Sequence, residues 1–336
     1  MLKKIIILSL IIIAASVFFY WRGLNSPVSS EGEYRIFIVN KGEPAEKIAD
    51  NLKKENLIRS AFYFKHEIKS GDNLKAGEYM VSPKLSAREI IKILASGNIV
   101  NRETAIKIIE GWSNKSIGDY LEKNNLADAE KFMVLAESGI GKWKFDFAKP
   151  DFLNDSPANA NLEGYLFPDT YRIFEDASAE EIISKMLDNF GKKISSEMAE
   201  EIKRQKKNIH EIIIMASVIE KEVRSREDMK IVSGIFWNRI KNGQALESCA
   251  TLAYILGLNK EQYSIEDTKI DSPYNTYKYR GLPPGPIANP GLNAIMAAIY
   301  PEDTDYNYFL SDPATGKTIY SKTFDEHNRN KYKYLK

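Results

Sequence analysis

Cysteine is almost absent from this sequence. Cys249 is the single one in 336 residues, so no disulfide forms within the chain. Histidine is nearly as scarce. His66, His210 and His327 lie far apart and in no metal-ligand spacing, which argues against a zinc site of the usual kind. No metal and no cofactor is expected. Neither charge is in excess: Lys and Arg number 47, Asp and Glu 46. The basic stripe of a nucleic-acid-binding protein is therefore missing, and no nucleic-acid partner is expected. Long apolar runs are lacking too, with one exception. Ile5 to Trp21 is a predominantly apolar run, at the short end for a membrane-spanning helix. It closes on Phe18-Phe19-Tyr20-Trp21, a cluster typical of a membrane interface.

That run predicts a single-pass anchor. Lys3 and Lys4 precede it, so the positive-inside rule keeps residues 1–4 in the cytoplasm, with 5–21 spanning and the rest outside. A cleaved signal peptide is the rival reading. Ala14-Ala15-Ser16 would suit one, but bulky aromatics follow at once. Residues 22–33 read as a polar linker.

The remaining length has room for two domains. Tyr34 to Val39 reads as a strand, Asn40 to Pro44 as a turn, and Ala45 to Asn56 as an amphipathic helix. A second helix over 61–69, a strand ending at Val81 and a helix over 86–96 capped by Gly97 complete a small α+β module, 34–100. Residues 101–336 form a larger mixed α+β domain. Its start echoes the module: a strand over 102–110, a turn at Gly111, then a helix over 116–124, as in a degenerate repeat. The overall class is α+β.

Three stretches of the larger domain stand out. Leu162 to Tyr171 (LEGYLFPDTY) packs aromatics, a Gly, a Pro and the carboxylates Glu163 and Asp169 into a segment too irregular for a helix. It reads as a packed brace or as the wall of a site. Gly281 to Gly291 (GLPPGPIANPG) is a proline-stiffened loop of a length that is usually functional. Between them, Asn208 to Arg224 reads as a mostly buried helix with Ile212, Ala216, Ile219 and Val223 at helical spacing. At about 100° per residue, Glu220 falls on the apolar side, and Glu222 lies about 160° away with Lys221 and Arg226. Burial raises a carboxyl pKa, which suits Glu220 to act as a general acid near neutral pH. An ordinary surface pair with Arg224 one turn on is the bland alternative.

Six ordered segments together carry a resemblance: LEGYLFPDTY, Ala216 to Val223 (ASVIEKEV), Phe236 to Ile240 (FWNRI), Ser272 to Tyr277 (SPYNTY), GLPPGPIANPG, and the hairpin from Tyr308. The chain resembles the YceG-like, MltG-type endolytic murein transglycosylases of bacterial cell walls, over nearly everything after the anchor. The module 34–100 resembles that family's LysM-like, glycan-binding subdomain. The resemblance implies a lyase. It would cut the β-1,4 bond between N-acetylmuramic acid and N-acetylglucosamine within a strand and leave a 1,6-anhydro end, without adding water. The family's catalytic acid is the first Glu of E-K-E, which falls on Glu220. Tyr274, Asn275, Thr276 and Tyr277 would line sugar subsites, with Glu163 and Asp169 as substrate contacts or loop braces. Asn238, Arg239 and Glu222 would give support, the first two by holding a helix pair together. The implied partners are peptidoglycan strands, the membrane through residues 5–21 and peptidoglycan synthases. The implied location is the bacterial cytoplasmic membrane, with the catalytic domain outside.

One departure from the family pattern stands in Glu247-Ser248-Cys249-Ala250-Thr251. The family's Asp-Pro falls on Cys249-Ala250. Ser248 is expected to cap the next helix in its place, and Cys249 to be a small buried side chain. Two rival functions stay open at this level: a muramidase, which needs a second carboxylate such as Glu163 or Asp169, and an inactive, anchored peptidoglycan-binding scaffold.

Overall fold

The computed structural model describes residues 2–68, 73–97, 103–258, 260 and 263–335; for 2–11, 14 and 17 the backbone alone is described. The chain divides into two compact units, Met1–Arg102 and Glu103–Lys336.

The first unit runs α1 (Leu2–Asn25), β1 (Arg35–Val39), α2 (Ala45–Lys54), α3 (Ala61–Glu67), β2 (Gly77–Val81) and α4 (Ala87–Ser96). β1 and β2 pair antiparallel, with Phe37 opposite Tyr79. Alternation along both strands sends Phe37, Val39, Tyr79 and Val81 into one core with Ile48, Leu52, Phe64, Ile90 and Leu94. α4 is fixed at both ends. Ser86 and Glu89 form a capping box, and Gly97 closes the helix in the left-handed conformation.

α1 runs on to Asn25, so its last turn takes the first residues of the expected linker. Asn25 then receives the Arg88 backbone N–H at the start of α4, 3.1 Å away. Phe18, Phe19 and Tyr20 are exposed, whereas Trp21 turns onto α3, its ring 5.1 Å from that of Tyr63. Much of the anchor expected over 5–21 rests on side chains outside the described residues. Among the described residues no helix is long and apolar enough to cross a membrane.

The second unit begins with β3 (Glu103–Lys107), α5 (Asn114–Lys123), α6 (Ala129–Ala136), β4 (Thr170–Phe174), α7 (Ala179–Lys193) and α8 (Ser196–Arg204). The helix α9 (Ile209–Glu222) follows, then α10 (Arg226–Lys241), α11 (Cys249–Leu256), α12 (Leu292–Ile299), the hairpin β5 (Tyr308–Ser311) and β6 (Thr318–Ser321), and α13 (Phe324–Tyr334). β3 pairs antiparallel with β4. The sequence pattern does not predict β4. Its alternation, with Tyr171 and Ile173 inward, is only five residues long and begins inside the irregular segment. α7 and α8 are separate helices, because the chain extends at Ile194 and Ser195 then caps α8.

α9 is the centre of this unit. Every residue from Ile212 to Ile219 is buried, and the helix packs against α8, α10, α11 and α12. Asn208 and Glu211 form its capping box. A helix apolar all round belongs in a core, so the direction of its last turn decides where a carboxylate emerges.

Candidate active site

Glu220 emerges at the C-terminal end of α9, between two glycines. The Gly291 backbone N–H donates to its Oε2 at 3.0 Å. On the other side, a Cβ on Gly111 would lie 3.4 Å from Glu220 Cγ. Burial pushes the carboxyl pKa up to about 7; the Gly291 bond works against this, the nearby Glu110 carboxylate adds to it, and Lys221 opposes it. The bland alternative fails on geometry. α9 ends at Glu222 and Val223 is extended, so Arg224 does not lie one helical turn on.

The walls on either side are tied together by backbone. Gly111 N–H donates to Asn289 O at 2.9 Å, and Asn289 N–H donates to Trp112 O at 2.8 Å. Lys221 Nζ donates to Gly111 O at 3.2 Å. The proline-stiffened loop lies against α9 through the Ser217 hydroxyl, which accepts Ile287 N–H at 3.0 Å and donates to Ile214 O at 2.7 Å. Beside Gly111 opens a cleft of about 430 Å³, lined among others by Ser113, Lys115, Glu137, Glu163, Lys221 and Tyr254. A second depression, about 510 Å³, lies at the end of α10 and shares no lining residue with the first. Its single carboxylate, Asp305, is exposed and pairs with Lys322.

Glu163 is buried in the cleft wall. Both its oxygens lie 3.1 Å from Asn114 N–H, and Oε1 also accepts from Asn289 Nδ2 at 3.2 Å. Burial raises its pKa to about 8, against the pull of the Asn114 N–H and with a push from Glu137. Asp169 is placed differently. It accepts from Asn189 Nδ2 at 3.0 Å and from Thr170 N–H at 2.8 Å, and pairs with Lys193 Nζ at 3.3 Å. The Asn189 bond comes first among the causes that hold its carboxyl below the usual range. Asp169 thus braces β4 against α7 and lines neither cavity.

The stretch 274–277 divides into two roles. Tyr274 packs against Tyr254 of the cleft lining, ring to ring at 5.0 Å, and the phenols of both are raised first by burial and then by the Glu163 charge. Asn275 and Thr276 are not surface contacts, contrary to the expectation that they line subsites. Asn275 is fully buried, donating to Thr268 O and Ile270 O at 3.0 and 2.8 Å and accepting from Tyr277 N–H at 3.0 Å. Thr276 Oγ1 accepts from Ser248 N–H at 3.1 Å and meets Thr251 Oγ1 at 2.9 Å. Their polar atoms are consumed in shaping the loop. The Tyr277 hydroxyl reaches Cys249 Sγ at 3.1 Å.

Glu222 and the sequence after α10 also differ from expectation. Because α9 stops at Glu222, its carboxylate swings away from the charged side and onto the start of α11. Glu222 Oε1 accepts from the Ser248 hydroxyl and from Ala250 N–H, the latter at 3.4 Å. Ser248 occupies the N-cap position, yet its side chain makes no cap bond; the cap comes from Glu222 of α9. Burial is the leading cause that raises the Glu222 carboxyl. Cys249 is exposed rather than buried. Asn238 and Arg239 do not join a helix pair. Asn238 Nδ2 donates to Thr304 O at 3.1 Å, and the Arg239 guanidinium holds Asn307 O at 2.8 Å and Leu246 O at 2.9 Å.

Sequence reasoning missed Glu110 and Asn289. Glu110 lies so close over Gly291 that a Cβ there would meet its Oε1 at 2.0 Å. Asn289 sits in the unusual loop, which is the one signal that pointed to it. Among the described residues no cluster of three His, Cys, Asp or Glu side chains is placed to hold a metal.

Comparison with known proteins follows the same residues. A model of the YceG-like family matches residues 37–333. An endolytic murein transglycosylase of Bacillus subtilis is 35% identical over 339 residues, covering 96% of this chain and 91% of that protein. One from Streptococcus pneumoniae is 30% identical over 344 residues, 94% of this chain but 62% of that protein, so this chain spans less than two thirds of that longer relative. A solved YceG-like protein of Listeria monocytogenes superposes with a TM-score of 0.59 at 34% identity, covering 89% of this chain and all of that one.

Proposed function

The chain belongs to the YceG-like family, and from that premise we propose that it is an endolytic lytic transglycosylase of peptidoglycan with Glu220 as its acid and base. One observation carries the reading: a carboxyl at the buried end of α9, set between Gly111 and Gly291 and holding its proton up to about 7. With Gly291 N–H on Oε2, Oε1 is left to carry that proton.

The chemistry needs only this one acid. Glu220 gives its proton to the glycosidic oxygen as the bond to C1 of N-acetylmuramic acid breaks. The 6-hydroxyl oxygen of the same sugar bonds to C1, and its proton returns to the Glu220 carboxylate. The nucleophile belongs to the sugar that it attacks, so its effective concentration is high without a second protein group. A hydrolase would instead need a second carboxylate to activate water. Of the two expected candidates, Glu163 is buried and accepts from Asn114 N–H and Asn289 Nδ2, and Asp169 is tied to Asn189 and Lys193.

In the same reading residues 34–100 within the first unit bind glycan as a LysM-like module, and residues 5–21 anchor the chain in the bacterial cytoplasmic membrane with 1–4 inside. Lys3 and Lys4 before the apolar run support that orientation. Peptidoglycan synthases are the partners that this placement favours.

The test is chemical. The full chain in detergent is incubated with purified peptidoglycan, beside Glu220→Gln, and the new ends are identified by mass spectrometry. Anhydro ends that vanish in the variant are expected. Reducing ends would establish a hydrolase, and glycan binding without cleavage a scaffold.

A further inference from the structure

Asn289 is fully buried, and its side chain ties two segments, 112–114 and 163–166, to its own loop. Oδ1 accepts from Leu166 N–H at 2.9 Å. Nδ2 has two hydrogens and three acceptors in reach: Trp112 O at 3.0 Å, Glu163 Oε1 at 3.2 Å and Asn114 Oδ1 at 3.3 Å. Its backbone makes the two bonds that join this loop to Gly111 and Trp112. Glu163 completes the hub by accepting Asn114 N–H at the start of α5. The geometry matters because of what lies at its edges. Gly111 donates its N–H directly to Asn289 O, and Gly291 stands two residues further along the loop. These are the two glycines that flank Glu220.

We propose that Asn289 and Glu163 are positioning residues for the reaction, locking the Gly111 turn and the Gly291 loop onto the two sides of Glu220, and that Glu163 itself moves no proton in turnover. This rests on the reading of Glu220 as the acid. A buried amide and a buried carboxyl in one network are costly unless every atom is paired. Here the pairing crosses from residue 114 to 163 to 289, so the network is built for placement. Glu163 faces Glu137, Tyr254 and Tyr274 besides its bonded partners, and it stays protonated up to about pH 8. In that state it offers Asn114 N–H and Asn289 Nδ2 an uncharged oxygen acceptor, which a glutamine also supplies. Glu220 in turn faces Gly291 N–H, Glu110 and Lys221. Loosening either wall admits water to a carboxyl whose pKa is raised mainly by burial, so its pKa falls.

The test measures kcat and KM for anhydro-end formation against pH, with the full chain and purified peptidoglycan. The variants are Glu163→Gln, Glu163→Ala, Asn289→Ala and Glu220→Gln, with thermal melting of each. Glu163→Gln is expected within a few-fold of the parent at neutral pH. Asn289→Ala is expected to lower kcat about a hundredfold, the scale of a small misplacement in a catalytic site. KM should change little and the alkaline limb should move to lower pH, a shift that general loosening of the fold elsewhere does not produce. Glu163→Ala, which keeps the backbone bonds of Asn289, should shift the limb the same way even if Asn289→Ala folds poorly. Loss of turnover in Glu163→Gln would overturn the proposal, since Glu163 would then carry a proton. So would Glu163→Ala and Asn289→Ala variants with unchanged kcat and an unmoved limb, while Glu220→Gln is inactive. An active Glu220→Gln would sink the functional reading itself, and this inference with it.

Discussion

Set side by side, β1–α2–α3–β2–α4 and β3–α5–α6–β4–α7 share one order: two helices between antiparallel strands, and a third helix after them. Both leave the first strand through a glycine at φ +77°, Gly42 in one and Gly111 in the other. They differ in the connection from second helix to second strand. It spans residues 68–76 in the first and 137–169 in the second. The longer one brings Glu137 and Glu163 to the cleft. Burial follows the same division. Among the described residues, Ser82 is the one buried polar side chain of the first set, whereas the second buries Asn114 and Glu163. Buried polar groups add little to stability and much to placement. One set of elements has stayed a packed module; the other has become the wall of a site.

The largest expected effect separates the two units outright. Glu220→Gln should lower anhydro-end formation by about 10²–10⁴-fold, the usual range for a general acid. Glu89→Gln in the capping box of α4 should leave turnover unchanged. Equal losses in both would mean that the variants act through folding.

Acidity sharpens the contrast next. In the proposed mechanism Glu220 acts as an acid while protonated, and its proton is held up to about 7. Turnover should therefore fall as pH rises through about 7. Glu110→Gln removes a repelling charge, so the limb should move to lower pH. Stability follows the same sign for Glu163. Its folded pKa, about 8, lies above the ordinary carboxyl value, so the stability it confers is present in acid and lost as pH rises through that value. Glu163→Gln should flatten the decline of the melting temperature in that window, and a change in the first unit should not.

How much of this was legible depends on how local the cause is. α9 and the inward face of Glu220 follow from helical spacing over a dozen residues. The order of the first unit follows from short alternations and from Gly97, which marks the end of α4 in the sequence. The Asn289–Glu163 bond spans 126 positions, and no local pattern reports it. Asn275 and Thr276 carry the side chains of a binding loop, yet they spend them on the loop's own backbone and on α11. Glu222 was misplaced because its direction depends on where the helix stops, and the chain leaves α9 at Val223.

The paired glycines give a middle-sized test. Alanine at either position pays for a left-handed backbone, roughly 1–2 kcal/mol. At Gly42 a Cβ would meet nothing within 4 Å, so Gly42→Ala should lower stability alone. At Gly111 it would lie 3.4 Å from both Glu220 Cγ and Lys221 Cδ. Gly111→Ala should cost similar stability and also lower kcat, by about tenfold, because it crowds the acid. Chemical denaturation beside turnover distinguishes them.

The smallest contrast compares two serines at helix starts. Ser86 caps α4 with its own hydroxyl, through a box closed by Glu89 of the same helix. Ser248 makes no such bond, and gives its hydroxyl to Glu222, which caps α11 from the end of α9. Ser86→Ala should cost about 1 kcal/mol of stability as a lost cap, and Ser248→Ala about as much as a lost hydrogen bond to Glu222. The consequences for chemistry differ, because α11 supplies Tyr254 to the cleft and α9 supplies Glu220. Ser248→Ala should therefore change KM as well as the denaturation midpoint, while Ser86→Ala should change only the midpoint. If Ser248→Ala leaves KM untouched, the remote cap serves stability alone, and the difference between the two units narrows to the residues around Glu220 itself.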